Sequence, residues 1–309
     1  IPAQNEQGAS LAADAFYRAS GKIGLVVATS GPGILNTLQG MACSYYDSIP
    51  GLYLSGAPVT GSIKKSKKLR QLGFQEMEVV DIVRSFTKYA VRLKSANDIK
   101  YEIEKAIYLS LEGRPGPVLI DLPDDLQRQD IDIKNLKSFK PKVNQTNTVN
   151  NLKKFQNLIS NSKKPIIIIG NGVKISKTEK EVFKIIKRHK IPFATTWATA
   201  DLFDIDHDLN VGSFGVYATR HGNFAIQNSD LVLVIGSRLS SLTTGEEYCK
   251  FARSAKKIVV DIDIDEHQKE GIKIDKFIKM DAKVFLENLN NIEFKIKNFE
   301  WVSKCLHWK

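Results

Sequence analysis

The sequence predicts an α/β protein of two domains, each built on a mainly parallel sheet flanked by helices. Three observations carry this. Continuous apolar runs such as "IGLVVA" (23–28), "PIIIIG" (165–170) and "LVLVIG" (231–236) are the mark of strands buried on both faces, as in parallel sheets. Helical signals fall between such runs, and strands alternating with helices imply parallel pairing through crossovers. The chain has 309 residues, 42% of them hydrophobic, enough for two separate cores.

Taken in order, residues 10–20 read as a helix stopped by Gly21. A buried strand at 23–28 runs into the turn "TSGPG" (29–33) and a helix over about 33–46. "GLYLSG" (51–56) is the next strand. A polar loop with four lysines follows, then a helix near 76–85, a strand at 87–93 and a helix over 97–112 that ends at Gly113. "PVLIDLP" (117–123) closes the first unit. Residues 126–150 are polar and lack sustained periodicity, and they read as a linker. A second alternating unit covers 151–295, with strands at 165–170, 231–236 and 257–264 and helices near 151–161, 176–189 and 282–290. Residues 296–309 begin an amphipathic pattern without a stop and read as the start of a further linker.

Composition narrows the function classes. No stretch approaches 18 consecutive apolar residues, so no membrane span is expected. The opening residues have no basic segment followed by an apolar one, so they are no signal peptide, and the absent Met suggests a chain that starts inside a longer one. Three cysteines without a CxxC pair suggest neither a disulfide framework nor zinc, which fits a reducing cytoplasm. The formal charge of +11 raises the question of nucleic acid. The lysines are scattered between apolar segments, with no aromatic-interleaved stripe, which reads as a solvated surface and not a nucleic-acid face.

Local motifs are weak one by one. "TSGPG" follows a strand and precedes a helix, where open α/β sheets bind ligands, yet it also suits an ordinary tight turn. It is no nucleophile elbow and no P-loop. "GNGV" (170–173) starts like a dinucleotide fingerprint, but Ile175 stands where the third glycine belongs; Asp261 and Asp263 could hold ribose hydroxyls. The five histidines have no metal-ligand spacing. Glu6, taken alone, is a first-turn glutamate favoured by the helix dipole.

Read as one unit, "NEQGASLAADAFYRASGKIGLVVATSGPGILNTLQGMACSYYDSIPGLYLSG", with "GFQE" (73–76) and "GRPGPVLIDLPDD" (113–125), resembles the thiamine-diphosphate-dependent enzymes, the acetolactate synthase-like branch most of all. The resemblance implies two Rossmann-like domains: residues 1–125 as the pyrimidine-binding domain, without its leading strand and helix, and 151–295 as the central domain. It implies that Glu6 hydrogen-bonds the N1' nitrogen of the cofactor's aminopyrimidine, so that the ring can take the proton from thiazolium C2. Burial against the ring is expected to raise the carboxyl's pKa. Pro32 and Asn36 would touch the pyrimidine or its surroundings, Gln75 would reach the reacting centre and Phe74 would pack beside it.

The implied activity is decarboxylation of a pyruvate-like 2-keto acid with transfer of the acyl anion to a second carbonyl, which is lyase and transferase chemistry. The active site would lie between subunits of a homodimer or homotetramer. The family's diphosphate-binding domain carries GDG and downstream asparagines that hold magnesium and diphosphate; no GDG occurs here. The magnesium ligands are therefore expected in a domain missing from this chain, which alone would be inactive. FAD-binding members show a pattern like GxRFDDRVTG, where this chain has "GSRLSSLTTG" (236–245). Arg238 remains, while Ser240, Ser241 and Leu242 replace the charged cluster, which weakens the case for FAD. Arg238, Asp263 and Asp281 are the residues left as candidates for a flavin or nucleotide site. Two alternatives stay open: a decarboxylase or oxidase on the same scaffold, and a non-catalytic nucleotide-binding module.

Overall fold

A computed structural model describes residues 1–66, 68–141 and 152–309. The chain forms two compact units, Ile1–Asn144 and Gln145–Lys309. Part of the expected linker, 142–150, and the first residue of the helix expected at 151–161 lie outside the described residues.

The first unit carries a four-stranded parallel sheet in the order β1-β2-β4-β3. Its strands are β1 (Gly24–Ala28), β2 (Gly51–Ala57), β3 (Tyr89–Arg92) and β4 (Pro117–Pro123). Its helices are α1 (Glu6–Ser20), α2 (Pro32–Leu35), α3 (Leu38–Tyr46), α4 (Val79–Val83), α5 (Ile99–Leu111) and α6 (Asp124–Gln127). One face of the sheet packs Val26, Ala28 and Tyr53 on Ala13, Ile34, Met41, Val79 and Val83 from α1 to α4. The other packs Leu52, Val118 and Ile120 on Ala106 of α5. Helix α1 starts earlier than residue 10: the Asn5 side chain accepts the Gly8 N–H at 2.7 Å as an N-cap, and Gly21 ends the helix in the left-handed region (φ 68°). Helices α1 and α3 approach closely at Gly40, where a Cβ would stand 2.3 Å from the Ser10 hydroxyl oxygen.

Three expectations need correction here. The run 23–28 is not buried on both faces: Leu25 and Val27 are 58% and 71% exposed, because β1 is an edge strand and α5 covers β2 and β4 but not β1. The helix expected over 33–46 is two helices. Asn36 folds its N–H back to the Pro32, Gly33 and Ile34 carbonyls, and the Thr37 hydroxyl donates to the Ile34 carbonyl, so the axis turns before α3. The helix expected near 76–85 is only Val79–Val83 with a 3₁₀ turn at Arg84–Phe86, since Glu76 is engaged with loop backbone.

The second unit carries a six-stranded parallel sheet in the order β10-β9-β8-β5-β6-β7. Its strands are β5 (Pro165–Ile169), β6 (Phe193–Thr195), β7 (Asn210–Ser213), β8 (Leu231–Ile235), β9 (Lys256–Asp261) and β10 (Lys276–Lys279). Its helices are α7 (Leu152–Ser160), α8 (Asn171–Ile175), α9 (Glu179–His189), α10 (Arg220–Asn228), α11 (Ser241–Thr244), α12 (Ala282–Asn290) and α13 (Phe299–Trp308). The order reverses between β5 and β8, the switch point of a doubly wound sheet. Alternate residues of β5 and β8 enter opposite cores: Ile167, Ile169, Leu233 and Ile235 meet α7, α9 and α12, while Ile166, Ile168, Val232 and Val234 meet α10 and α13. The helix expected over 176–189 is interrupted at Lys177, which has φ 55°. Strands β6, β7 and β10 and helix α10 escape the sequence patterns because they are short or polar. Residues 296–309, expected to begin a linker, contain α13, which buries Trp301 and Cys305; the Trp301 indole N–H donates to the Pro165 carbonyl at 3.0 Å. Among the described residues no helix is long and apolar enough to cross a membrane.

Candidate active site

At the carboxyl-end rim of the first sheet, helix α1 begins with Glu6 beside the turn that leaves β1. Gly31 takes φ 63° at the start of α2, and Pro32 occupies the first helical position, where a missing N–H costs nothing. Gly33 lies next and is buried: a Cβ there would stand 2.3 Å from the Thr29 hydroxyl oxygen and 3.4 Å from Glu6 Oε1, so the glycine lets α2 pack closely on Thr29 beside the carboxylate. The break after α2 aims the Asn36 side chain back, and its Nδ2 donates to Glu6 Oε2 at 3.1 Å. The residues of "EQGA" and "SGPGILN" thus meet, although about thirty positions separate them.

The hydrogen bonds of this turn set the carboxyl's titration. The Asn36 donation first, then Glu6's own backbone N–H, hold the Glu6 carboxyl below its ordinary 4.5, and burial opposes them more weakly. The side chain is only partly buried, so desolvation does not win.

Gln75 reaches the same turn from the other side. Its backbone is left-handed (φ 55°), and a Cβ on Gly31 would stand 2.6 Å from the Gln75 carbonyl oxygen. Phe74 is 86% exposed and takes no part in the core of its unit. Glu76, which sequence reasoning passed over, is buried and accepts three backbone N–H bonds. Its position at the end of "GFQE" was visible, but no local pattern marks a glutamate as buried.

The candidates in the second unit are dispersed among other tasks. Arg238 is exposed after β8, and its carbonyl accepts from the Lys269 ammonium. The Asp263 N–H donates to the Asp261 carboxylate at 3.0 Å, and Asp261 lies 3.5 Å from His267 Nε2. Asp281 caps α12 by accepting the Lys283 N–H at 2.8 Å. At the switch point the Gly170 N–H donates to the Ile235 carbonyl and the Gly172 N–H to the Gly236 carbonyl, each at 2.9 Å. A Cβ on Gly172 would stand 2.7 Å from the Gly236 Cα, so the two turns touch backbone to backbone. Positions 240–242 form the start of the uncharged α11. Among the described residues no group of three or more His, Cys, Asp or Glu side chains is placed to hold a metal ion.

Comparison with known proteins places this pair of units in context. Residues 1–82 match the family model "Thiamine pyrophosphate enzyme, N-terminal TPP binding domain", and residues 152–289 match "Thiamine pyrophosphate enzyme, central domain". The chain belongs to the thiamine pyrophosphate (thiamine diphosphate) enzyme family. Among its relatives is a "Probable acetolactate synthase large subunit" of Methanocaldococcus jannaschii, 36% identical over 100% of this chain and 52% of the relative. A protein of the same description from Methanococcus aeolicus is 34% identical over 93% of this chain and 47% of the relative. "Acetolactate synthase, chloroplastic" of Arabidopsis thaliana is 33% identical over 94% and 42%. The chain spans about half the length of these curated relatives.

Tested against that family's cofactor, the first rim fits. It presents a partly exposed carboxylate held by an amide at the turn that leaves β1. The second rim fits a flavin pyrophosphate poorly: the Gly170 and Gly172 N–H groups are committed within the domain, and no charge stands at 240–242.

Proposed function

We propose that this chain supplies the pyrimidine-facing half of a thiamine-diphosphate site in an acetolactate synthase-like enzyme. The reaction would be decarboxylation of a pyruvate-like 2-keto acid and transfer of the acyl unit to a second carbonyl. The observation that carries this reading is Glu6 held at the "SGPG" turn by Asn36. When bound, thiamine diphosphate supplies the nucleophilic carbon and the electron sink for loss of carbon dioxide. Glu6 holds and exchanges a proton at the aminopyrimidine N1', Asn36 orients Glu6, Pro32 bounds the ring, and Gln75 reaches toward the reacting carbon. Covering the site with the ring raises the carboxyl's pKa from its present low value, which suits a group that must take and return a proton. Phe74 would be covered in a homodimer or homotetramer whose sites lie at subunit contacts. Magnesium would be held by residues outside this chain.

On the same reading the central unit carries no resident flavin, and the protein neither enters a membrane nor binds nucleic acid. Free Cys43 and Cys249 on the surface suit a reducing compartment, the cytoplasm. The test is Glu6→Gln in the intact, cofactor-loaded protein. Proton exchange at thiazolium C2, followed by NMR, should be lost; normal exchange would overturn the reading. Flavin absorbance and product analysis from pyruvate separate the synthase from a decarboxylase or an oxidase.

A further inference from the structure

Glu76, the last residue of "GFQE", is buried, at 3% exposure. Its carboxylate faces backbone. Oε1 accepts the Lys64 N–H at 2.7 Å, and Oε2 accepts the Leu72 N–H at 2.6 Å and the Gly73 N–H at 3.2 Å. Lys64 and Leu72 stand at opposite ends of a surface loop, so one side chain ties the two ends together. The Glu76 backbone adds two bonds: its N–H donates to the Gly73 carbonyl at 3.2 Å, and its carbonyl accepts from Gln71 Nε2 at 3.3 Å. Gly73 is pressed against Pro58 and the Ser62 carbonyl, with a Cβ there 2.8 Å from each. Gln75, immediately before Glu76, is left-handed and abuts Gly31. A non-glycine residue keeps such a conformation only where its surroundings over-determine it.

We propose that Glu76 is a positioning residue: its buried carboxylate latches Lys64 to Leu72 and Gly73 and so holds Gln75 in its left-handed backbone against Gly31, the residue that opens the helix leading to Asn36. The latch stands on the geometry of the unit; its consequence for catalysis rests on the function proposed above.

The experiment compares E76A, E76Q and Q75A with the parent in the intact protein. Amide hydrogen exchange across 62–76 is read by mass spectrometry, beside trypsin cleavage after the exposed Lys65 and Lys68. In E76A the amides of Lys64, Leu72 and Gly73 should exchange about tenfold faster or more, since three backbone donors lose their acceptor. Trypsin should cut the loop faster, while α1 and α3 keep their protection. E76Q, which retains one acceptor oxygen, should lie between, and it carries the test should E76A fail to fold. Unchanged loop exchange in a folded variant would overturn the latch, as would a uniform rise across the unit. In the loaded enzyme, E76A should lower kcat more than it changes KM, and the E76A/Q75A double variant should be no worse than Q75A. Additive losses would overturn the coupling. If E6Q keeps C2 exchange while the loop result holds, the functional reading fails and the latch stands.

Discussion

The two sheets cover themselves differently. In the second unit, helices lie on both faces of β5 and β8, and every residue of those strands is buried. In the first, β1 is an edge strand with helices on one face, so Val26 and Ala28 enter the core while Leu25 and Val27 face outward. Their rims differ in the same sense. The second sheet closes its switch point with glycine backbones in contact; the first leaves a carboxylate and an amide exposed at the turn after its edge strand. A central strand wrapped on both faces favours stability, and a partly covered edge strand leaves polar groups available for chemistry.

Substitutions test that contrast. The largest effect is expected in the wrapped unit. Phe285→Ala removes a fully buried ring packed edge-to-face on Phe155 and should destabilise that unit by about 3–5 kcal/mol, read from its urea transition. A smaller cost should follow Val26→Ala on the covered face of β1, about 1.6 kcal/mol for two methyl-sized groups at ~0.8 kcal/mol each. Val27→Ala, one position on, should change stability by less than about 0.5 kcal/mol. Equal losses at 26 and 27 would mean that β1 is covered on both faces in solution.

The smallest effect belongs to the open rim. Asn36→Ala should raise the Glu6 pKa toward its ordinary value, measured by carboxyl NMR titration. A depressed folded pKa stabilises the fold above the unfolded value of about 4.5, and that contribution fades as pH falls through the lowered one. The variant should therefore lose a little stability at neutral pH and less in acid. An unmoved pKa would show that Asn36 does not hold the carboxylate.

Much of the fold was legible because the period of apolar residues reports which faces are covered. "PIIIIG" and "LVLVIG" identified central strands, and Gly21 marked the end of α1. The same signal misled at 23–28: an apolar run on an edge strand looks like one at a sheet centre, and neighbours alone tell them apart. Strand β7 and helix α10 were missed since "NVGS" and "RHGNFAIQN" carry too little apolar repeat. At the candidate site, Glu6, Pro32, Asn36 and Gln75 were singled out by resemblance, while Glu76 left no local trace because its partners are backbone N–H groups of a loop folded over it.

By itself, the sequence determined the alternation of strands and helices, the two-unit plan and the family, because apolar period, turn residues and motif order are local properties of the chain. Only the tertiary structure decided that Asn36 bonds Glu6, that Gln75 leans on Gly31, that β1 shows one face to solvent and that the turns of the second sheet meet at Gly172 and Gly236. Each of these depends on a distance between residues far apart in the chain, and such distances arise only when helices and strands pack together.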